Sequence, residues 1–475
     1  MSPQTGVSPK AIRTFPQFGG NLPPLGPQAQ ARAEAKGGTL VFWACAGYTF
    51  LLFSRTVEFI DSSGRLHLSL FSGLACILAA LVTGTIPGML ISKPGKWISL
   101  FSFWIFIGLP FSTWKGGSIT SFQNGWLKSY LTFFIVGGLI FTLAQLRTMT
   151  VIFALSTVSQ IYLSYHNGAN QEADRMAVTY GSLGNANDLA SALLIGMPFV
   201  VFVMYDKKIG SVWRFLCLPV LVVLLVTALK TGSRGGLIGI VTLFAFSFFK
   251  SSASGKMLIM VGALVGVALF AAVVPADLRT RYMTIFKTDR TATTSQGADS
   301  ALESSQARRG LIENALILTM RHPVFGVGLS QFSPQSFNLF VERGFTGMWF
   351  TCHDIFGLVA SETGIPGLVF FCGTIVTCFR LLSQISKVPA TTPELDLISR
   401  LSLTILMALV AFVMCGIFNT QAYSHQLPVL AALTAALNRI AAPYIAKEGA
   451  GAPVAAVATP FVNRRIRQQT VQAAQ

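Results

Sequence analysis

The chain is poor in charge. Only 11% of its 475 residues are Asp, Glu, Lys or Arg, against roughly 25% in a soluble domain. Apolar runs near 20 residues recur along its length, each long enough to cross a bilayer, so a soluble globular protein is excluded. Cysteine is sparse and badly placed for chemistry. Six of the seven (Cys45, Cys76, Cys217, Cys372, Cys378, Cys415) lie in apolar runs, where Cys behaves as a small hydrophobe. Cys352 alone sits beside a polar segment. No CxxC pair occurs, which speaks against a disulfide framework and against zinc or redox work. No group of residues reads as a metal site. The net charge of +17 is not a nucleic-acid signal, because no basic stripe interleaves with stacking aromatics. No internal repeat is evident, which argues against a transporter built from duplicated halves.

What the chain does have is apolar spans. The pattern predicts an all-α polytopic membrane protein with about twelve transmembrane helices, near 38–54, 67–91, 97–112, 126–145, 148–165, 187–205, 212–229, 235–249, 256–275, 355–379, 401–418 and 427–445. Residues 1–37 and 446–475 are rich in small and polar residues and read as disordered tails. Residues 38–445 form one membrane-embedded domain, interrupted by a single large loop over 276–354 with an amphipathic helix at 305–320.

Charge sets direction. Alternating the loops from the N-terminus gives 20 basic residues on one side, against 7 in the short loops of the other. Short loops on the cytoplasmic side carry the excess of Lys and Arg, so both termini are expected in the cytoplasm and the 276–354 loop outside. All five His and 13 of the 18 acidic residues then fall on the outer side. Titratable chemistry gathers on a face where nucleotide sugars are absent. A synthetic reaction there needs a donor already activated in the membrane.

Several residues stand out as candidate site groups. Thr231-Gly232-Ser233-Arg234-Gly235-Gly236 is a tight outer turn before a span, where glycines let backbone N–H groups approach an anion and a helix N-terminus favours phosphate. Arg308 has Ile312 at i+4 and no acid on its own face, so its fork is free for bidentate contact to phosphate. Arg309 has Glu313 at i+4, a surface pair that would occupy it. The apolar side of this helix is expected from Leu311, Ile312, Ala315, Leu316 and Met320. His353, at the outer end of a span, titrates in the range needed for a general base. Asp354 could orient its ring. Asp188 reads as an N-cap or a sugar contact. Trp349 is a stacking surface for sugar. His322, before Pro323, is held extended and shapes a turn with Gly326 and Gly328. Gly364-Ile365-Pro366-Gly367 should break the helix that carries it.

In order, these motifs resemble the O-antigen ligase and polymerase family of bacterial envelope glycosyltransferases. The match rests on the Thr231–Gly236 turn, on Arg308 followed by Ala315-Leu316 and His322-Pro323-Val324-Phe325-Gly326-Val327-Gly328, and on His353 followed by Glu362-Thr363-Gly364-Ile365-Pro366-Gly367. One departure is Asp354, where the family leads one to expect Asn. The resemblance implies a GT-C-like architecture in the bacterial inner membrane and a metal-independent enzyme without cofactor. It implies transfer of a glycan from an undecaprenyl diphosphate carrier to an acceptor hydroxyl on a glycan, lipid A core or protein. On that reading Arg234 and Arg308 hold the diphosphate and His353 is the general base. Ser233, Asp188, His322, Asp354 and Trp349 are candidate substrate contacts. A repeat-unit polymerase is the alternative within the class, and a polysaccharide or lipid transporter the alternative outside it.

Overall fold

The computed structural model describes residues 36–60, 67–171, 175–179, 181–283, 296–344 and 349–451. The expected tails at 1–35 and 452–475 lie outside the described residues. Helices stand at every expected span. In chain order they are α1 (Lys36–Ser54), α2 (Leu68–Val82), α3 (Lys93–Gly108), α4 (Leu127–Gly138), α5 (Leu143–His166), α6 (Ala186–Tyr205), α7 (Ser211–Lys230), α8 (Arg234–Lys250) and α9 (Ala253–Val273). The large loop holds α10 (Ala276–Met283), α11 (Gln296–Arg321) and α12 (Phe332–Glu342), and the chain closes with α13 (Ile355–Ile385), α14 (Pro393–Gly416) and α15 (Gln426–Gly451). Seven of these, α5, α6, α7, α9, α13, α14 and α15, are long and apolar enough to cross a membrane. The other five expected spans coincide with helices of 12 to 19 residues.

The boundaries differ where local chemistry overrides hydropathy. α5 starts at Leu143 rather than 148, because Thr142 and Gln145 form a reciprocal capping box that satisfies two orphan N–H groups. The fourth span gains length at its start: a short α-helix at Lys115–Ser121 and a π-helical segment at Phe122–Trp126 run straight into α4. The second span is divided, with α2 ending at Val82 and a short helix following at Ile86–Ile91. One element is not helical. Gly168–Gln171 (β1) and Arg175–Val178 (β2) pair antiparallel, Gly168 opposite Val178.

The core is a single apolar cluster centred on α15, α14, α6, α4 and α13. Trp126, Phe101, Phe133, Phe199 and Phe412 are its largest fully buried side chains. α9 lies at the edge and buries no residue at all. α13 is the helix that shapes the end of the bundle bearing the large loop. It breaks at Gly364 (φ 73, ψ −178), a conformation open to glycine, as the Gly-Ile-Pro-Gly string predicts.

Candidate functional site

The break in α13 frees backbone groups, and the His322–Gly328 turn takes them up. Ile365 N–H donates to Pro323 O (2.8 Å), Val327 N–H to Ser361 O (2.8 Å) and Gly328 N–H to Glu362 O (3.0 Å). Trp104 Nε1 donates to Thr363 O (2.9 Å), and the buried Glu362 accepts from Phe332 N–H (3.0 Å). A Cβ on Gly364 would strike the Val324 carbonyl. Two motifs far apart in the chain are therefore one interlocked unit, as buried backbone groups require. His322 itself stays exposed on its outer rim, with its carbonyl accepting from Gly326 N–H (3.0 Å).

This lock lays the C-terminal half of α11 against the first half of α13. Leu311, Ala315 and Leu318 are buried there at 1–3% exposure. Ile312, Leu316 and Met320, expected on the covered side, are exposed. The apolar face of α11 is wider than its contact, and only one of its two rows is covered.

Arg308 lies on this helix near four other charged or titratable groups. The charges that act on it come from Arg234 and Arg281, and those acting on His353 come from Arg308 and Arg175. Arg175 feels Arg281, Arg308 and Arg234, with Tyr282 as the single opposing group. Among the described residues no Asp or Glu acts on Arg175 or Arg308. Burial, then these neighbours, lowers Arg175 to about 9 and Arg308 to about 10. Both remain cationic at neutral pH. The Nε of Arg308 is buried with no hydrogen-bond partner among the described residues.

Each guanidinium reaches the site from a different element. Arg175 opens β2, and its Nε donates to Thr231 O (2.9 Å) while Nη2 donates to Asn187 Oδ1 (3.0 Å). Arg281, on α10, donates from Nε to Gly232 O (3.1 Å) and is 3% exposed. Arg234 is the first residue of α8. Gly232 sits at φ +60, and a Cβ there would crowd Leu278 and the Arg175 side chain, so glycine is what admits Arg175. Sequence reading found Arg234, Arg308 and His353 and missed Arg175 and Arg281. The Gly184–Asp188 string was the available signal, but its working member is Asn187.

The Thr231–Gly236 turn differs from expectation in one respect. Three of its amides are bonded locally: Gly232 N–H to Leu229 O, Ser233 N–H to Thr231 Oγ1 and Gly236 N–H to Ser233 Oγ. Gly235 faces Phe418 and Gly239 faces Cys415 and Leu194. Gly235 and Gly239 serve close helix packing. Ser233 is buried as the N-cap of α8.

His353 immediately precedes α13 and is half-buried. Burial first, then Arg308 and Arg175, pulls it down to about 4, so it is neutral with a free lone pair at envelope pH. Asp354 does not orient its ring. The carboxylate is the N-cap of α13, accepting from Gly357 N–H (2.7 Å) and Phe356 N–H (3.4 Å), because a helix start has orphan donors to satisfy. Asp188 is not an N-cap either, since Asn185 caps α6. It faces Asn419, Gln421 and Arg55. Arg309 is exposed and is not paired with Glu313, which joins Arg343 across the loop at 3.2 Å. Trp349 is 68% exposed and leans on Phe337 with ring centroids 5.8 Å apart. Among the described residues no three His, Cys, Asp or Glu converge as a metal site.

Residues 219–372 match the family model described as O-antigen ligase. The match runs from the middle of α7 to the middle of α13 and takes in Arg234, Arg281, Arg308, His353 and the interlocked turn. Arg175 lies outside it, brought in by the β-ribbon. Members of this family are membrane enzymes, ligases and polymerases, acting on lipid-linked glycans. No curated protein matches the chain.

Proposed function

We propose that the O-antigen ligase domain transfers a glycan from undecaprenyl diphosphate to an acceptor hydroxyl at the outer face of the bacterial inner membrane. The observation that carries this is the group Arg175, Arg234, Arg281 and Arg308 beside His353, with no carboxylate among the described residues acting on Arg175 or Arg308. Cations buried without a counter-charge are costly. An incoming diphosphate supplies that counter-charge, and planar forks suit its oxygens.

In the reaction His353 takes the proton of the acceptor hydroxyl as its oxygen bonds to the anomeric carbon. The bond from that carbon to the phosphate oxygen breaks, and its electron pair leaves on the diphosphate, where the guanidiniums stabilise it. Inversion at the anomeric carbon follows from attack opposite the leaving group. Donor binding also readies the base. The diphosphate offsets the charge of Arg308 and Arg175, the groups that hold His353 low, so its proton affinity rises once the donor is seated. Chain residues suffice for these steps, and no metal is invoked.

Both termini lie in the cytoplasm on this reading, and the excess of basic residues in the cytoplasmic short loops supports it. Single cysteines at Glu342 and Lys208, in a background whose native cysteines do not label, test it. A membrane-impermeant thiol reagent on intact cells should label position 342 and spare 208; the reverse would place the site on the wrong side.

A ligase fits better than a repeat-unit polymerase. No outer-side Arg has Gly eleven positions on, the spacing of the paired-loop polymerases, and one dominant outer segment suits one polymeric donor and a separate acceptor. Deleting the gene should leave long carrier-linked glycan in the inner membrane and a bare final acceptor. An acceptor bearing a single repeat unit would instead identify a polymerase.

A further inference from the structure

α10 is a helix of eight residues, and it follows α9, which buries none of its own. It is seated by one face. Leu278, Arg281 and Tyr282, spaced i, i+3 and i+4, are 0%, 3% and 2% exposed, while Ala276, Asp277, Arg279 and Met283 are exposed. All three buried side chains meet the end of α7. Leu278 lies against Gly232, where a Cβ would come within 2.9 Å of its Cδ2. Arg281 Nε donates to Gly232 O (3.1 Å), and the Tyr282 hydroxyl donates to Leu229 O (2.8 Å). The last carbonyls of a helix lack partners within it and form its negative end, so they suit both donors. Arg175 Nε takes a carbonyl between these two, Thr231 O. Two like charges are thus held on neighbouring carbonyls of one turn against their mutual repulsion, and Tyr282 faces both of them.

We propose that Tyr282 is a positioning residue for donor binding: its hydroxyl pins α10 to the end of α7 and so holds Arg281 in place before the diphosphate arrives. The proposal rests on reading the Arg cluster as a diphosphate site. Arg281 makes the contact to the anion, and the phenol acts through it. Without the hydroxyl, α10 loses a tie that does not depend on the guanidinium, and the charges of Arg175 and Arg308 push Arg281 away from them. The donor must then order α10 as it binds, which lowers affinity. Once bound, the diphosphate draws Arg281 back, and the chemical step proceeds as before.

Tyr282→Phe in the full-length protein tests this, because it removes the hydroxyl and keeps the ring that packs on Phe270 with centroids 5.5 Å apart. With a glycan on polyprenyl diphosphate as donor, KM should rise about tenfold, the loss of about 1.4 kcal/mol, with kcat within about twofold of wild type. Arg281→Ala should worsen both, since its guanidinium also stabilises the leaving diphosphate. Adding Tyr282→Phe to Arg281→Ala should change nothing further. A normal KM with a lower yield of active protein makes Tyr282 a structural residue, and losses that multiply in the double variant mean that it acts apart from Arg281; either result overturns the proposal. Binding of inorganic diphosphate gives a second readout that needs no transfer. Tyr282→Phe should raise its Kd about tenfold. If wild type and Tyr282→Phe bind it equally well, the positioning role is overturned and the diphosphate reading stands. If wild type binds none, the diphosphate reading fails and the positioning role falls with it.

Discussion

Two guanidinium sites lie side by side at one end of the bundle, and they are built on opposite principles. Arg55 follows α1 in a left-handed conformation (φ 61). Its Nη1 bonds Glu58 Oε1 at 3.1 Å, its Nη2 lies 3.4 Å from His425 Nε2, and Asp188 acts on it as a second negative charge. Glu58 in turn accepts from Ser182 N–H (3.0 Å) and Ser182 Oγ (2.7 Å). Its charge is matched and its geometry ties three loops together. Arg308 and Arg175 have no acid among the described residues acting on them. Asn187 and Asp188 stand at the border, the first bonded to Arg175 and the second facing Arg55. One neutral amide and one carboxylate, adjacent in sequence, thus separate the cluster we propose as a diphosphate site from one whose counter-charge is built in. Burial alone does not distinguish an arginine that binds a ligand from one that holds a fold; the placement of counter-charge does.

The largest effects should come from breaking each site in its own way. Arg308→Ala and His353→Ala should each lower glycan transfer by about a hundredfold or more while the protein still accumulates in the membrane. Arg308→Lys should fail nearly as badly, since one ammonium cannot copy a bidentate fork. Arg55→Ala should do the reverse. It leaves Glu58 without its cation, at about 1–3 kcal/mol, so thermal stability falls while the surviving protein transfers at close to the normal rate. Transfer assays paired with melting curves separate the two, and a stable but inactive Arg55→Ala would collapse the contrast.

A subtler change moves the boundary. Asn187→Asp places a carboxylate against Arg175 and makes this site resemble that of Arg55. KM for the donor should rise about tenfold, the cost of competing with an internal anion. The pH profile gives a second readout. His353 must be neutral to accept a proton, and the free protein holds it near 4, so the acid limb of kcat/KM should lie near that value. The limb of kcat should lie higher, because the bound diphosphate offsets the cations that depress it. In Asn187→Asp the kcat/KM limb should move up for the same reason. Coincident limbs in the wild type would mean that the donor does not sit against His353.

The spans were legible because hydropathy is a local property, and the helix break was legible because Gly-Ile-Pro-Gly cannot continue a regular helix. What stayed hidden depends on partners distant in the chain. Arg175 lies in a polar stretch that reads as solvated loop, and its acceptor is the carbonyl of Thr231, 56 residues on. The Arg309–Glu313 pair had the right spacing, but Arg343 takes the carboxylate from across the loop. Ile312 and Leu311 are equally apolar and adjacent in sequence, yet only Leu311 meets a neighbour. Periodicity shows which faces of a helix are apolar and leaves open which of them the fold covers.

The smallest effects are expected at two residues that our reading places outside the reaction. Arg309→Ala should change transfer by less than about twofold, because the side chain is exposed and exposed charges contribute little. Asp354→Asn is the sharper case. If the carboxylate worked through His353, losing its charge would remove an oriented, charge-stabilised base and transfer would drop steeply. As the N-cap of α13 it needs only an oxygen aimed at the N–H groups of Phe356 and Gly357, and Asn caps about as well as Asp. The expected result is transfer within about twofold of wild type and an unchanged melting temperature. Asp354→Ala should instead cost about 1 kcal/mol of stability with little change in the pH profile. This also accounts for Asp at a position where Asn was expected, since either residue closes the helix that carries His353. A hundredfold loss in Asp354→Asn at unchanged stability would return the carboxylate to the catalytic group.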